Sequence, residues 1–175
     1  MLEKFRSLAI GLCLFVIVIG LAVYFLVQIG GGESIFGDES GTLEAVEFET
    51  LAFEGDDSGY LLCPDSLCTA AITNGPAARF EVNARKLRLA LADYVDDMPT
   101  IRTFGFDPAA NQFDFLERLP GESIPTVLTV RVIEIDNYTS ALAIYSRKPI
   151  GDSKPGEHEK RVNRWLTILS SRLAS

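Results

Sequence analysis

The densest set of reactive side chains in the sequence is Tyr145-Ser146-Arg147-Lys148-Pro149-Ile150-Gly151-Asp152-Ser153-Lys154-Pro155-Gly156, a run that leaves a predicted strand and enters the last predicted helix. Cations, glycines and a helix N-terminus together make a generic anion site, because free backbone N–H groups and the helix dipole favour negative charge there. Glu157 and Glu159 in the first helical turn can supply that charge themselves, and the glycines can serve only to bend the loop. The candidate ligand-binding residues are Ser146, Arg147, Gly151, Lys154 and Gly156, joined by Arg118 and Arg161.

The remaining chemistry is sparse. His158 is the one histidine, and although Glu159 follows it, Val162 stands where a zinc-protease motif needs a second histidine. A lone histidine near a helix start is expected to be exposed or to cap the helix. No G-x-S-x-G elbow, P-loop or G-x-G-x-x-G is present, so no residue is assigned a catalytic role, no cofactor is implied and the chain leans away from being an enzyme. Cys63 and Cys68 enclose Pro64 in a C-x4-C pair, read first as a small-loop disulfide, with free thiols or a metal site as the alternatives. A zinc site needs about four ligands, and His158 is far along the chain, so no metal is assigned. Asp56-Asp57-Ser58-Gly59 lacks the alternating acids and terminal Glu of a calcium loop.

Composition places these groups. The 175 residues are 47% apolar yet carry a net charge of −8, and the two properties occupy different segments. Residues 8–29 hold 19 apolar residues in 22 and no formal charge, a length of about 33 Å as a helix, enough for one membrane span. The run exceeds the usual apolar length of a cleaved signal peptide and no A-x-A-like site follows, so an uncleaved signal anchor contacting the bilayer is expected. Lys4 and Arg6 precede the span and no base follows until Arg79, which puts residues 1–7 in the cytoplasm and the rest outside, in a periplasm or its equivalent. That compartment suits a disulfide.

The acidity is equally local. Residues 30–78 contain ten acids and no base, whereas residues 79–175 hold 14 bases and 13 acids. Residues 30–58 read as an acidic, glycine-containing spacer, with Leu43, Val46, Phe48, Leu51 and Phe53 scattered among glutamates, that becomes the ordered edge of the domain, and nucleic acid is disfavoured as a partner because no basic face appears.

The elements that must position the loop follow from periodicity. Asn83 is a good N-cap, and Leu87, Ala90, Leu91, Tyr94, Val95 and Met98 form one stripe of a helix ended by Pro99. Tyr60-Leu61-Leu62 is a short strand. Four strand-like runs, Thr100–Phe106, Gln112–Arg118, Val127–Ile135 and Tyr138–Ser146, are joined by connections too short for parallel crossovers. A helix from Glu157 to Leu173 closes the chain, with Val162, Trp165, Leu166, Leu169 and Leu173 on its stripe. The expected fold is α+β: over residues 59–175, a single domain with a twisted antiparallel meander of four to five strands covered by two amphipathic helices, preceded by the membrane helix.

Over about residues 48–173 the chain resembles domain-of-unknown-function family 1499, a group of uncharacterised, often membrane-anchored or exported proteins. The likeness rests on Tyr60-Leu61-Leu62-Cys63-Pro64 with Cys68, the Phe80 to Leu87 stretch, Arg118, Pro125 before a strand, Ile144-Tyr145-Ser146-Arg147, Gly151, Gly156, Arg161-Val162 and Trp165-Leu166. Thr126, Lys154 and His158 stand where similar proteins tend to carry acids or an amide. The resemblance implies an envelope location and no activity. The leading expectation is a membrane-tethered, extracytoplasmic binding or accessory domain for an anionic ligand or an envelope protein. A hydrolase-like enzyme and a structural subunit are the alternatives.

Overall fold

The computed structural model describes residues 45–174; the expected cytoplasmic tail, the membrane helix at 8–29 and the first part of the spacer lie outside them. Among the described residues no helix is long and apolar enough to cross a membrane. The elements in chain order are β1 (Gly59–Leu62), β2 (Ala78–Phe80), α1 (Ala84–Asp96), β3 (Ile101–Asp107), β4 (Gln112–Glu117), β5 (Thr126–Glu134), β6 (Ser140–Arg147) and α2 (Glu157–Ala174).

The α+β class holds. All strand pairs are antiparallel, in a six-stranded sheet ordered β1-β6-β5-β4-β3, with β2 pairing a different stretch of β6 from β1. Short turns force this order. In the β3–β4 loop Asp107 Oδ1 accepts from the N–H groups of Ala109 and Ala110, and Asn111 takes the left-handed conformation at φ 54°. In the β5–β6 turn Asp136 Oδ1 accepts from the N–H of both Tyr138 and Thr139 at 2.7 Å.

Strand alternation divides the core between two faces. Leu62, Phe115, Leu128, Val130 and Ile144 face α1 and α2, which bring Leu87, Leu91, Tyr94, Val162, Trp165 and Leu169. Burying each of these large side chains stabilises the fold by about 1.5–3 kcal/mol. Asn83 starts α1 as predicted, its Oδ1 accepting from the Lys86 N–H at 2.8 Å. Trp165 is fully buried and meets Tyr94 edge to face, ring centroids 5.0 Å apart.

The opposite face is covered by residues 46–71, not by a helix. Val46, Phe48 and Phe53 pack there with Leu61, Ala143, Tyr145 and the Cys63–Cys68 disulfide, whose Cα atoms are 6.1 Å apart. The packed chain therefore begins before residue 59, and the end of the presumed spacer is part of the domain. The apolar residues scattered among glutamates, read as the place where the spacer becomes the ordered edge of the domain, are those that reach this sheet face.

Candidate functional site

The last turn of β4, the end of β6 and the start of α2 meet on the helix-covered face. Glu117 ends β4 by continuing the alternation of Phe113 and Phe115, which carries its carboxylate inward to full burial. Arg161 lies one turn into α2 and is 2% exposed. Its Nη1 donates to Glu117 Oε2 at 2.6 Å; its Nη2 bonds Glu122 Oε1 and lies 3.6 Å from Glu157 Oε1. Arg164 Nη2 donates to both oxygens of Glu117 at 2.7 Å, and the Trp165 indole N–H reaches Glu117 Oε1 at 3.3 Å. Lys148 Nζ pairs with Glu157 at 2.9 Å.

Three cations therefore face three carboxylates within the cluster. Burial works to raise the Glu157 carboxyl, but the hydrogen bonds from Lys148 and the Lys154 N–H prevail and hold it below the usual range. No positive charge is left over at this cluster to attract an anion.

Beside this network His158 is 3% exposed, in contrast to the exposed or capping position expected from its place in the chain. It sits on the same stripe as Val162, Trp165 and Leu169, at i, i+4, i+7 and i+11. Its Nδ1 is 2.8 Å from Ser146 Oγ on β6, and its Nε2 is 2.7 Å from Ser153 Oγ in the loop before α2. Burial, more than any neighbouring charge, lowers the imidazole pKa, so the ring is neutral near pH 7, with one nitrogen donating and the other accepting.

The other predicted residues do not join them. Ser146 and Arg147 are adjacent on β6 and so point to opposite faces: Ser146 to His158, Arg147 to the face where Val127 and Gly59 are its strand partners. There Arg147 lies near Asp114, whose carboxyl is pushed up by burial, with the Thr129 hydroxyl at 2.6 Å and the Arg147 charge opposing that rise. Arg118 is exposed just past β4, and Lys154 is exposed with its N–H donated to Glu157. Gly151 and Gly156 take φ of 84° and 69°, the loop-shaping role weighed against a ligand-binding one. Arg118, Arg147 and Arg161 do not come together in one pocket. Arg161 is covered and neutralised, and Arg147 is on the far side of the sheet.

Two further features bear on function. The first is Glu117, whose signal in the sequence is an acid in phase with the half-buried Phe113 and the buried Phe115. The second is the edge formed by β3, where Phe104 and Phe106 are 39% and 54% exposed and β4 is the only strand neighbour among the described residues. The chain matches no family model, no curated protein and no solved structure.

Proposed function

We propose that this chain is a membrane-anchored extracytoplasmic domain that works by binding a protein partner in the cell envelope. Residues 8–29 are its anchor, Lys4 and Arg6 remain in the cytoplasm, and the domain with its Cys63–Cys68 bridge is outside, where such a bridge persists. The observation that carries a protein partner over a small anion is the pairing of opposite charges around Arg161, set beside an open strand edge bearing two exposed phenylalanines. Strand edges bind by main-chain hydrogen bonds, with alternate side chains giving selectivity. A photo-crosslinking amino acid at Phe104 of the full chain in its membrane tests this. A protein adduct at Phe104 and none at exposed Tyr138 is expected; no adduct at Phe104 or Phe106 sinks the reading. A fused reporter active only outside the cytoplasm tests the topology.

A hydrolase-like reading is favoured by one contact, Ser153 Oγ to His158 Nε2 at 2.7 Å with Ser146 behind the ring. In it the Nδ1–H donates to Ser146 and Nε2 takes the Ser153 proton as Ser153 Oγ adds to an ester carbonyl; the imidazolium gives that proton to the alcohol that leaves as the ester C–O bond breaks, and water then hydrolyses the acyl-Ser153 by the same relay. Fluorophosphonate labelling that is lost in Ser153→Ala and His158→Gln supports it, whereas an unlabelled folded protein ends it.

A further inference from the structure

We infer that the partner at the β3 edge is a second copy of this chain, joined antiparallel so that Arg102 of each copy faces Asp107 of the other. This deepens the protein-partner reading and rests on it.

The argument begins with an irregularity. The β3–β4 register shifts between Thr103 and Gly105, leaving Phe104 as an extra residue. Without the bulge Arg102 and Asp107, five positions apart, would lie on opposite faces. With it, Arg102 pairs Leu116 and Asp107 pairs Gln112, and both of those lie on one face of β4. The bulge therefore brings the two opposite charges of this strand to the same face.

Antiparallel pairing of β3 with itself about the Phe104–Gly105 bond then sets Arg102 opposite Asp107, Thr103 opposite Phe106, and Phe104 opposite Gly105. A two-fold axis makes each contact twice. Both charges are exposed. Arg102 has no ion pair among the described residues, and Asp107 uses only Oδ1 to hold its turn, leaving Oδ2 for a partner. Gly105 offers no side chain of its own, since a Cβ there would come 2.8 Å from Asp114 Oδ2, so a phenylalanine from the facing strand can lie over it. Other registers lose this match; in the shifts that set a charge opposite itself, Arg102 meets Arg102 or Asp107 meets Asp107. The bulge and edge charges that discourage promiscuous strand pairing thus leave one register favoured. Confinement to one membrane raises the effective concentration of the two edges.

The test uses the full chain in membranes with Cys13→Ser, so that introduced thiols have no competing free cysteine. Coexpressed Thr103→Cys and Phe106→Cys chains are expected to form a mixed disulfide dimer, and Thr103→Cys alone is not. In detergent, Arg102→Glu is expected to weaken the dimer about tenfold or more, with Asp107→Asn, which keeps the turn acceptor, weakening it less. Added salt should reduce the difference between wild type and Arg102→Glu. A monomer at all concentrations together with no mixed disulfide overturns the inference, as does a dimer indifferent to Arg102→Glu. If the crosslinker at Phe104 captures only a different protein, self-pairing falls and the protein-partner reading stands; if it captures nothing, both fall.

Discussion

Glu117 and Arg161, 44 residues apart in sequence, form a buried ion pair of 2.6 Å that joins the end of β4 to the first turns of α2. The pair is held from both sides, by Arg164 and the Trp165 indole on Glu117 and by Glu122 and Glu157 on Arg161. Its role is positional. It sets where the helix lands on the sheet, and with it where His158 meets Ser146.

Removing one half of a buried pair costs about 3–5 kcal/mol where the other charge is stranded, and because Glu122 and Glu157 still flank Arg161 the lower end applies here. Glu117→Gln is therefore expected to lower stability by about 3 kcal/mol, read as a reduced urea midpoint with unchanged slope. The double variant Glu117→Leu/Arg161→Met should lose less than the two single changes added together.

His158 makes stability depend on pH in a defined direction. Its folded pKa is depressed by burial, so between that value and the ordinary 6.5 the unfolded chain binds more protons. Its contribution is fully present above pH 6.5 and is lost as pH falls through the folded pKa. Asp114 acts oppositely, because burial raises its carboxyl. The expected result is that wild type loses more stability between pH 7 and pH 5 than His158→Gln does, measured by denaturant unfolding at each pH.

The Cys63–Cys68 bridge closes a short loop, sequence separation 5. Chain-entropy arithmetic for so small a loop gives about 2 kcal/mol. Cys63→Ser/Cys68→Ser should fold with a stability lower by that order. Maleimide labelling of the purified wild-type chain should reach Cys63 and Cys68 only after reduction.

Asn83→Ala tests the start of α1. Losing the side-chain acceptor for the Lys86 N–H is expected to cost about 1 kcal/mol, while Asn83→Asp should be nearly neutral. Thermal unfolding followed by circular dichroism measures both.

Much of the domain was written locally and so could be read from the chain. The stripe from Leu87 to Val95 and the alternation of β5 and β6 are short-range patterns, and signals of that kind put both helices and every strand but β2 in their places. The three residues of β2 are too few to show a period. The layer formed by Val46, Phe48 and Phe53 follows no period because it is irregular chain, recognisable only once a bare sheet face needs covering. The site was the least legible part. Arg161 reads as a free cation until Glu117 is folded against it, and Ser146 and Arg147 look like neighbours until strand geometry sends them to opposite sides. The burial of His158 does have a local signal, since the residue stands four positions before Val162 on the apolar stripe of α2.

The far margin of the sheet has a different character from β3. The outer side of β1 is closed by its own chain: the Leu61 N–H goes to Asn74 Oδ1, the Asn74 N–H returns to the Leu61 carbonyl, and the Cys63 N–H goes to the Gly75 carbonyl. Among the described residues the outer side of β1 is thus occupied, whereas β3 has a strand neighbour on one side alone. A two-fold contact through β3 occupies the β3 edge of both copies, so assembly by this route stops at two.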